Sequence, residues 1–412
     1  MGIKINDQTL VKPIGATARL SAKLLYPLTK RLELGLKIFN ARWEAPEPSP
    51  SCLSSPLTLT DIRRLTLDYV QKMRLTPGGE FLGYRHSAST TRPVLYATLA
   101  ALLLKHLYGV ADDQTQEELA YVSGFQRDDG LFYDPVIDCP EAEIEDWWGW
   151  RHLTLHALMT LAIYQVPARQ KIHYWRRFTD NKTFRQYLTS RDWGARAAWT
   201  SNELQNLGVM LQYARDYQNS LAAQDLLETL YEVMEANQDP RTGLYGHRFA
   251  SPGELSLGVQ AGYHFWLLYF YDQRPLPFLE NIIDQLLQSQ NLWGGYGVER
   301  HSSACEDIDS IDPLMRLSRL TDYRREEVQG SLERALPAVL HNLNEDGGFV
   351  FRRHSPLTFG HPQMFSAADE SNLFFTWFRT LGLAYCFKGL EKTPPQAGYD
   401  WNFTRAPGHQ FL

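Results

Sequence analysis

The sequence predicts an all-α fold: a single (α/α)6 barrel, or toroid, preceded by an N-terminal amphipathic helix. Helical spacing of apolar residues dominates from residue 57 onward, and strand-like alternation is scarce. A turn of glycine and aromatic residues also recurs, and its successive glycines are 49 to 64 residues apart, enough for two helices and a loop per unit. These turn glycines are Gly79, Gly130, Gly194, Gly243, Gly295 and Gly347. Because closing six hairpins into a ring removes both exposed ends, we expect a barrel.

The two helices of each hairpin are expected to differ in composition. The helix after each turn is rich in aromatic and aliphatic residues, which predicts that it forms the inner wall of the barrel. Such segments are 94–107, 147–164, 255–271 and 374–387. The outer helices should mix charged residues with leucine, as segments 225–236 and 324–343 do.

The N-terminal residues 1–50 are expected to form a unit separate from the barrel domain at 51–412. Lysines and arginines alternate with leucines over residues 16–40, which predicts a basic amphipathic helix. This helix would either pack on the protein itself or contact an anionic membrane surface. Residues 45–50 read as a proline-rich linker. No apolar run long enough to span a bilayer and no secretion signal is present in the sequence, so we expect a cytoplasmic protein with peripheral membrane contact as an open alternative.

Charge and cysteine usage exclude several classes of protein. The formal net charge is -6, which argues against a nucleic-acid partner. The four cysteines (Cys52, Cys139, Cys305 and Cys386) form no CxxC pair, so neither a disulfide framework nor a zinc ribbon is indicated. Aromatic residues make up 13% of the chain, enough to supply rings for a cavity lining. The oligomeric state is left open.

An acidic stretch directly follows the turn at 291–297. Glu306, Asp307, Asp309 and Asp312 lie within seven residues, at the predicted start of an inner helix. Crowded carboxylates repel one another, and the repulsion favours a proton on one of them. The alternative is an acidic first helical turn stabilised by the helix dipole, with Ser310 or Asp312 as the cap.

Two turns, at 288–296 and 344–349, resemble the Gln-Trp-type repeats of the squalene cyclase and protein prenyltransferase superfamily. In class II terpene cyclases of that superfamily, an Asp-x-Asp-Asp motif follows such a turn, and here residues 307–310 stand in its place. The resemblance implies that Asp309 is the general acid and Asp307 its neighbouring acid, while Ser310 replaces the last acid of the motif. It also implies a single-domain cyclase, without cofactor or metal, that protonates and cyclises a linear isoprenoid or a prenylated aromatic acid.

Such a reaction requires further side chains around the acid. A histidine would orient the carboxyl group, and His152, His264 and His301 are the candidates. Aromatic faces would stabilise the carbocation. The candidate rings are Trp147, Trp150, Tyr263, Trp266, Phe374 and Trp377.

Two polar residues on predicted inner helices complete the candidate binding residues. Asn202 would either face the cavity or contribute to capping its helix. Arg379, within a very aromatic segment, would either bind an anionic head group or be ion-paired inside the protein.

Three other functions remain open from the sequence. Cys305 and His361 are 56 residues apart and suggest a zinc-dependent prenyltransferase, but Ser303 stands where that family has an aspartate. Helical toroids also host carbohydrate lyases and glycosidases, for which the pair Tyr263 and His264 would be suited. A binding module without catalysis is the third alternative.

Overall fold

The computed structural model describes residues 57–110, 112–137, 149–178, 180–246, 249–390 and 400–408. The predicted N-terminal helix, its linker and Trp147 lie outside these residues. The prediction of an all-α fold is confirmed, because the described part of the chain contains twelve α-helices and only four strands of two residues each.

The helices alternate between two positions in the fold. In chain order they are α1 (Leu59–Met73), α2 (Leu95–Leu107), α3 (Asp113–Ser123), α4 (Trp150–Ile163), α5 (Asn181–Thr189), α6 (Ala197–Gln218), α7 (Leu221–Asn237), α8 (Pro252–Asp272), α9 (Leu279–Ser289), α10 (Ala304–Leu317), α11 (Arg325–Leu340) and α12 (Leu373–Gly389). The even-numbered helices are the ones that follow the predicted turns.

The six even-numbered helices pack against one another in a closed cyclic order. Each contacts the next even-numbered helix along the chain, and α12 returns to contact α2. The odd-numbered helices lie outside them, as α11 does against α10 and α12. Burial follows the same division. Every residue of α2 is buried, whereas α9 buries only Ile282, Ile283, Leu286 and Ser289.

The glycine turns hold successive hairpins together by close backbone approach. Gly347 has φ +93°, and a Cβ atom on it would lie 2.0 Å from the backbone oxygen of Leu65 in α1. The turn at Gly294 approaches Arg334 of α11 in the same way, at 2.3 Å. The last turn of the chain therefore packs on the first outer helix. In the fifth turn, the glycine with positive φ is Gly294, at +92°, and not the predicted Gly295.

Glutamine side chains close three of the turns. The Nε2 atoms of Gln126, Gln238 and Gln290 donate to the carbonyl oxygens of their turn glycines at 2.8, 2.8 and 2.9 Å. Each bond satisfies a backbone carbonyl that the turn geometry leaves without a helical or sheet partner. The glutamine that precedes these turns in the sequence is thus a structural part of the repeat.

Two short hairpins interrupt the helical pattern. β1 (Arg74–Leu75) pairs antiparallel with β2 (Gly83–Tyr84), and β3 (Leu357–Thr358) with β4 (Phe365–Ser366). The second hairpin presents Phe359 to the inner helices. No helix in the described residues has the length and apolar character needed to cross a lipid bilayer.

Candidate active site: an unpaired carboxyl group at an aromatic cavity

The acidic stretch forms the first three turns of α10. Ser303 is the N-cap: its Oγ accepts from the Glu306 backbone N–H at 3.2 Å, and the Glu306 carboxylate accepts from the Ser303 backbone N–H at 2.9 Å. This capping box fixes where the helix begins. The expectation that Ser310 or Asp312 serves as the cap is wrong, since both lie inside the helix.

Three of the four acids are ion-paired with arginines. Asp307 pairs with Arg379 of α12, and Asp312 accepts from Arg316 Nε at 2.5 Å. Glu306 accepts from Arg352 at 3.0 Å. Arginine keeps its proton in proteins, so each of these carboxylates has a nearby positive charge.

The Asp307–Arg379 pair lies in the protein core rather than at a ligand site. Arg379 is 1% exposed and also donates to the backbone oxygens of Ser302 and Phe351, both at 2.7 Å. Asp307 additionally accepts from the Tyr296 backbone N–H at 3.0 Å. Burial raises the pKa of the Asp307 carboxyl, and the Arg379 guanidinium opposes that shift. Of the two roles the sequence left open for Arg379, the structure therefore shows internal ion pairing; the arginine does not reach the cavity described below.

Asp309 is the acid without a partner. The residue is 4% exposed, and no hydrogen bond or ion pair joins its carboxyl group to any residue that the structure describes. Burial raises its pKa well above the ordinary value of 3.8, and the carboxylates of Glu306, Asp312 and Asp307 raise it further. Both effects favour the protonated form of the Asp309 carboxyl group.

Asp309 forms part of the wall of a cavity of about 190 Å³, which we call the Asp309 cavity. Its lining residues come from five of the inner helices and the second hairpin. They are His152, Ala198, Trp199, Asn202, Gln205, Leu257, Gln260, Tyr263, His264, Cys305, Asp309, Phe359, Phe374 and Phe378. The structure thus brings together the predicted site residues His152, Asn202, Tyr263, His264, Asp309 and Phe374.

The two histidines of the cavity are neutral. His152 Nδ1 lies 2.9 Å from the Tyr96 hydroxyl, and His264 Nδ1 lies 3.0 Å from Ser201 Oγ. Burial lowers the pKa of His152 to about 3 and that of His264 to about 4. Neither histidine bonds to Asp309, so the predicted orienting contact is not formed. The third candidate, His301, stacks on His341 at a ring distance of 5.4 Å and does not line the cavity.

Three of the predicted aromatic rings pack in the protein instead of lining the cavity. Trp266 is fully buried and covers Gly262, where a Cβ atom would lie 2.3 Å from the indole. Trp377 is also fully buried and packs edge-on against Phe378 at 4.8 Å. Trp150 stacks on Tyr133 at 5.5 Å. None of these three rings is among the residues that line the Asp309 cavity, and their contact with a ligand stays a prediction.

Sequence reasoning missed several lining residues. Phe378 follows Phe374 by four residues and so shares its helix face, and Gln205 stands three residues after Asn202 in the same way; this spacing could have revealed both. Phe359 comes from a hairpin loop, and nothing in its local sequence places it beside Phe374, 5.1 Å away.

The residues suggested for zinc do not form a metal site in the described part of the chain. No group of three or more His, Cys, Asp or Glu residues is close enough there to hold an ion. Cys305 lines the cavity, where burial raises its pKa well above the ordinary value and so opposes the thiolate that a metal requires. His361 caps a short turn by accepting from the Gln363 backbone N–H at 3.1 Å.

No family model and no curated protein matches the sequence. Three enzymes are among the solved structures to which the chain is similar. An ent-copalyl diphosphate synthase from Streptomyces platensis is 13% identical with a TM-score of 0.41, over 73% of this chain and 51% of its own. The chain therefore spans about half the length of that enzyme.

The other two similar structures are comparable in length to this chain. A GH76A α-1,6-mannanase from Salegentibacter sp. HEL1_6 is 10% identical with a TM-score of 0.45, and a polysaccharide lyase is 12% identical with a TM-score of 0.47. Each similarity covers 81% of this chain and 98% of the other.

Proposed function

We propose that the protein is a class II terpene cyclase that closes rings in a linear isoprenoid by protonating one of its double bonds. The observation that carries this proposal is the state of Asp309. Asp309 is buried at the wall of an aromatic cavity, its carboxyl group lacks a partner in the described residues, and its raised pKa favours the protonated form. A neutral carboxylic acid in a water-poor site is the group that alkene protonation requires.

The proposed step transfers the Asp309 proton to an alkene carbon. The π electrons form the new C–H bond, and the positive charge on the other alkene carbon is attacked by the next double bond of the chain, which closes a ring. Loss of a proton from the final cation gives a product that is an isomer of the substrate. Asp309 is left as a carboxylate, and the buried carboxylates around it favour its reprotonation.

The faces of aromatic side chains would stabilise the intermediate cations without reacting with them. Phe359, Phe374 and Phe378 form a cluster with ring distances of 5.0 and 5.1 Å on one side of the cavity, and Trp199 lines it from α6. A desolvated cation over such a ring gains about 2 kcal/mol. Tyr263 lines the same cavity, but its hydroxyl donates to Asp312 at 3.0 Å, which leaves the ring as its contribution.

A second cavity extends the space available to an elongated substrate. This outer cavity, of about 620 Å³, shares Ala198, Trp199 and Leu257 with the Asp309 cavity. We propose that the reacting part of the substrate enters the Asp309 cavity while the remainder of its chain lies in the outer cavity.

The composition of the Asp309 cavity favours a cyclase over a carbohydrate-active enzyme. Glycoside hydrolysis uses two carboxyl groups that flank the scissile bond, and Asp309 is the single carboxyl group among the described lining residues. Cleavage of a uronate polymer places a sugar carboxylate in the site, yet the described lining contains no lysine or arginine to balance its charge.

Incubation in D2O tests the proposed reaction directly. Linear prenyl alcohols and prenylated hydroxybenzoates should give cyclic isomers that carry one carbon-bound deuterium, because the initiating proton comes from an exchangeable carboxyl group. Mass spectrometry and NMR of the products measure this incorporation. Turnover of uronate polymers or mannans, with no change to prenyl compounds, would instead favour a carbohydrate-active enzyme.

A further inference from the structure

Two amide side chains on α6 bring unpaired polar atoms to the wall of the Asp309 cavity. Asn202 and Gln205 are three residues apart on the same helix face, and both line the cavity. Asn202 Oδ1 and Gln205 Nε2 are buried and have no hydrogen-bond partner within the described part of the protein. Gln205 is 1% exposed, so solvent does not provide the partner.

An unpaired buried polar atom is costly. Leaving a buried donor or acceptor without a partner costs about 1–3 kcal/mol, and nearly all such atoms in folded proteins are paired. Gln260 provides the comparison within the same cavity, because its Nε2 donates to Ser256 Oγ at 3.2 Å. A ligand in the cavity would supply the missing partners of Asn202 and Gln205.

The charges around the cavity define the chemistry of that ligand group. The lining contains no lysine or arginine among the described residues, and His152 and His264 are neutral. An ionised carboxylate or phosphate would therefore be buried without a countercharge, at a cost of several kcal/mol. A hydroxyl group is neutral and both donates and accepts one hydrogen bond, which matches one unpaired acceptor and one unpaired donor.

We propose that the Asp309 cavity binds an isoprenoid that carries an uncharged hydroxyl group, which donates to Asn202 Oδ1 and accepts from Gln205 Nε2. The identity of the chain as an isoprenoid rests on the proposed function. The substrate class becomes a prenyl alcohol or a prenylated phenol rather than a prenyl diphosphate, and any acidic group of the substrate lies outside this cavity. Asn202 and Gln205 are positioning residues, because they orient the chain toward the acid and do not take part in proton transfer.

The inference is tested by measuring how tightly four ligands bind to the full-length protein, with quenching of tryptophan fluorescence as the readout. The ligands are geraniol, its deoxygenated hydrocarbon, geranic acid and geranyl diphosphate. Geraniol would form two hydrogen bonds, worth about 1 kcal/mol each, with groups that the hydrocarbon leaves unpaired. Geraniol should therefore bind at least tenfold more tightly than the hydrocarbon. Geranic acid at pH 8 and geranyl diphosphate should bind more weakly than geraniol. Equal affinities for geraniol and the hydrocarbon, or tighter binding of either anion, would overturn the inference.

The variant Gln205→Met separates the amide contact from general packing. It should bind the hydrocarbon as the wild type does but lose most of the preference for geraniol. Gln260→Met is the matched control: it makes the same change in the same cavity at an amide that already has a partner, and it should keep the preference. If Gln205→Met does not fold, as judged by circular dichroism, Asn202→Leu gives the same comparison. A preference that survives in both folded α6 variants would contradict the inference.

The outcomes also distinguish this inference from the proposed function. If the hydrocarbon and geraniol bind with equal affinity, the proposed hydroxyl contact is contradicted, but the proposal of a prenyl-binding cavity stands. Failure of every prenyl compound to bind, including the hydrocarbon, would remove both.

Discussion

At the scale of single residues, Asp309 differs from its neighbours in what surrounds it rather than in its chemistry. Glu306, Asp307 and Asp312 are each within ion-pairing distance of an arginine, whereas no arginine that the structure describes is that close to Asp309. Burial without a partner is unfavourable for the ionised form of a carboxyl group, so the position of Asp309 costs the folded protein stability when the group ionises.

The first prediction concerns the proton itself. Asp309→Asn keeps the shape of the side chain but removes the transferable proton, so turnover of a prenyl substrate should fall by about 10²- to 10⁴-fold or more. Binding of the hydrocarbon probe should change little, because the cavity lining is preserved. Product formation by gas chromatography and the same fluorescence titration measure the two effects. Activity close to that of the wild type would remove Asp309 from the mechanism.

The second prediction concerns the pH dependence of stability. The pKa of Asp309 is raised above 3.8 in the folded protein, so the native state binds this proton more tightly than the unfolded chain does. The free energy of unfolding should therefore decrease as pH rises from about 3.8 through the raised pKa of the folded state. Asp309→Asn cannot ionise and should escape this loss.

Melting curves by circular dichroism across that pH range check the prediction. The variant should be more stable than the wild type at neutral and alkaline pH, with a difference that shrinks toward acid pH. Parallel curves for the two proteins would show that Asp309 is not perturbed as described.

At the scale of elements, α10 places two acids of the motif in different surroundings. Its Asp307 side chain connects the helix to Arg379 of α12, whereas Asp309, two residues later, points into the cavity. Pro313 lies within the helix and lacks the N–H that would otherwise bond to the Asp309 carbonyl. Asp307 is thus held in an ion pair between two helices, and Asp309 is at the cavity wall.

The third prediction compares the same substitution at these two positions. Asp307→Ala should destabilise the protein by about 3–5 kcal/mol, because it leaves the guanidinium of Arg379 buried without its countercharge. Asp309→Ala should not destabilise the protein at neutral pH and should raise the free energy of unfolding, since it removes no described hydrogen bond or ion pair and it removes the carboxyl group whose pKa is raised in the folded state. Urea unfolding measures both free energies. A larger loss for Asp309→Ala than for Asp307→Ala would contradict these assignments.

At the scale of the whole molecule, closure of the helical ring depends on contacts between the two ends of the repeat array. The turn at Gly347 precedes α12, the last inner helix, and meets the backbone of Leu65 in α1, the first outer helix. The contact is possible because glycine tolerates φ +93° and has no side chain.

The fourth prediction tests this closing contact. Gly347→Ala should destabilise the protein by about 2–4 kcal/mol, from backbone strain at positive φ and from the clash with Leu65. Gly79→Ala is the control: Gly79 has a similar φ of +91°, but no atom lies within 4 Å of the added Cβ, so only the strain of about 1–2 kcal/mol applies. Thermal unfolding gives the difference. Equal losses for the two variants would show that the closing contact contributes nothing.

The parts of the fold that were predictable are those with a periodic signal. Helical spacing identified the helices, their aromatic and aliphatic composition identified the inner ones, and the recurring turn gave the repeat. The exact turn glycine was ambiguous at Gly294 and Gly295, because adjacent glycines look alike in a sequence and differ only in φ.

The candidate site was predictable only in part, for a geometric reason. Tyr263 and Trp266 lie on the same inner helix and both are fully buried, yet only Tyr263 is among the residues that line the cavity. An inner helix has neighbouring helices around it, so apolar residues occur on several of its faces. Its composition therefore does not identify the face that lines the cavity. The same limit applies to Arg379, whose partner is 72 residues away in the sequence.

The sequence by itself determined that this protein is helical and repetitive and that it carries a cluster of acids after an aromatic turn, because these features depend on local spacing. Only the tertiary structure decided which acid is left without an arginine. That choice depends on side chains from α12 and from the loop at Arg352, which pair with Asp307 and Glu306 and leave Asp309 facing the cavity. Charge compensation in a folded protein acts through space, and the spacing of residues along the chain does not record it.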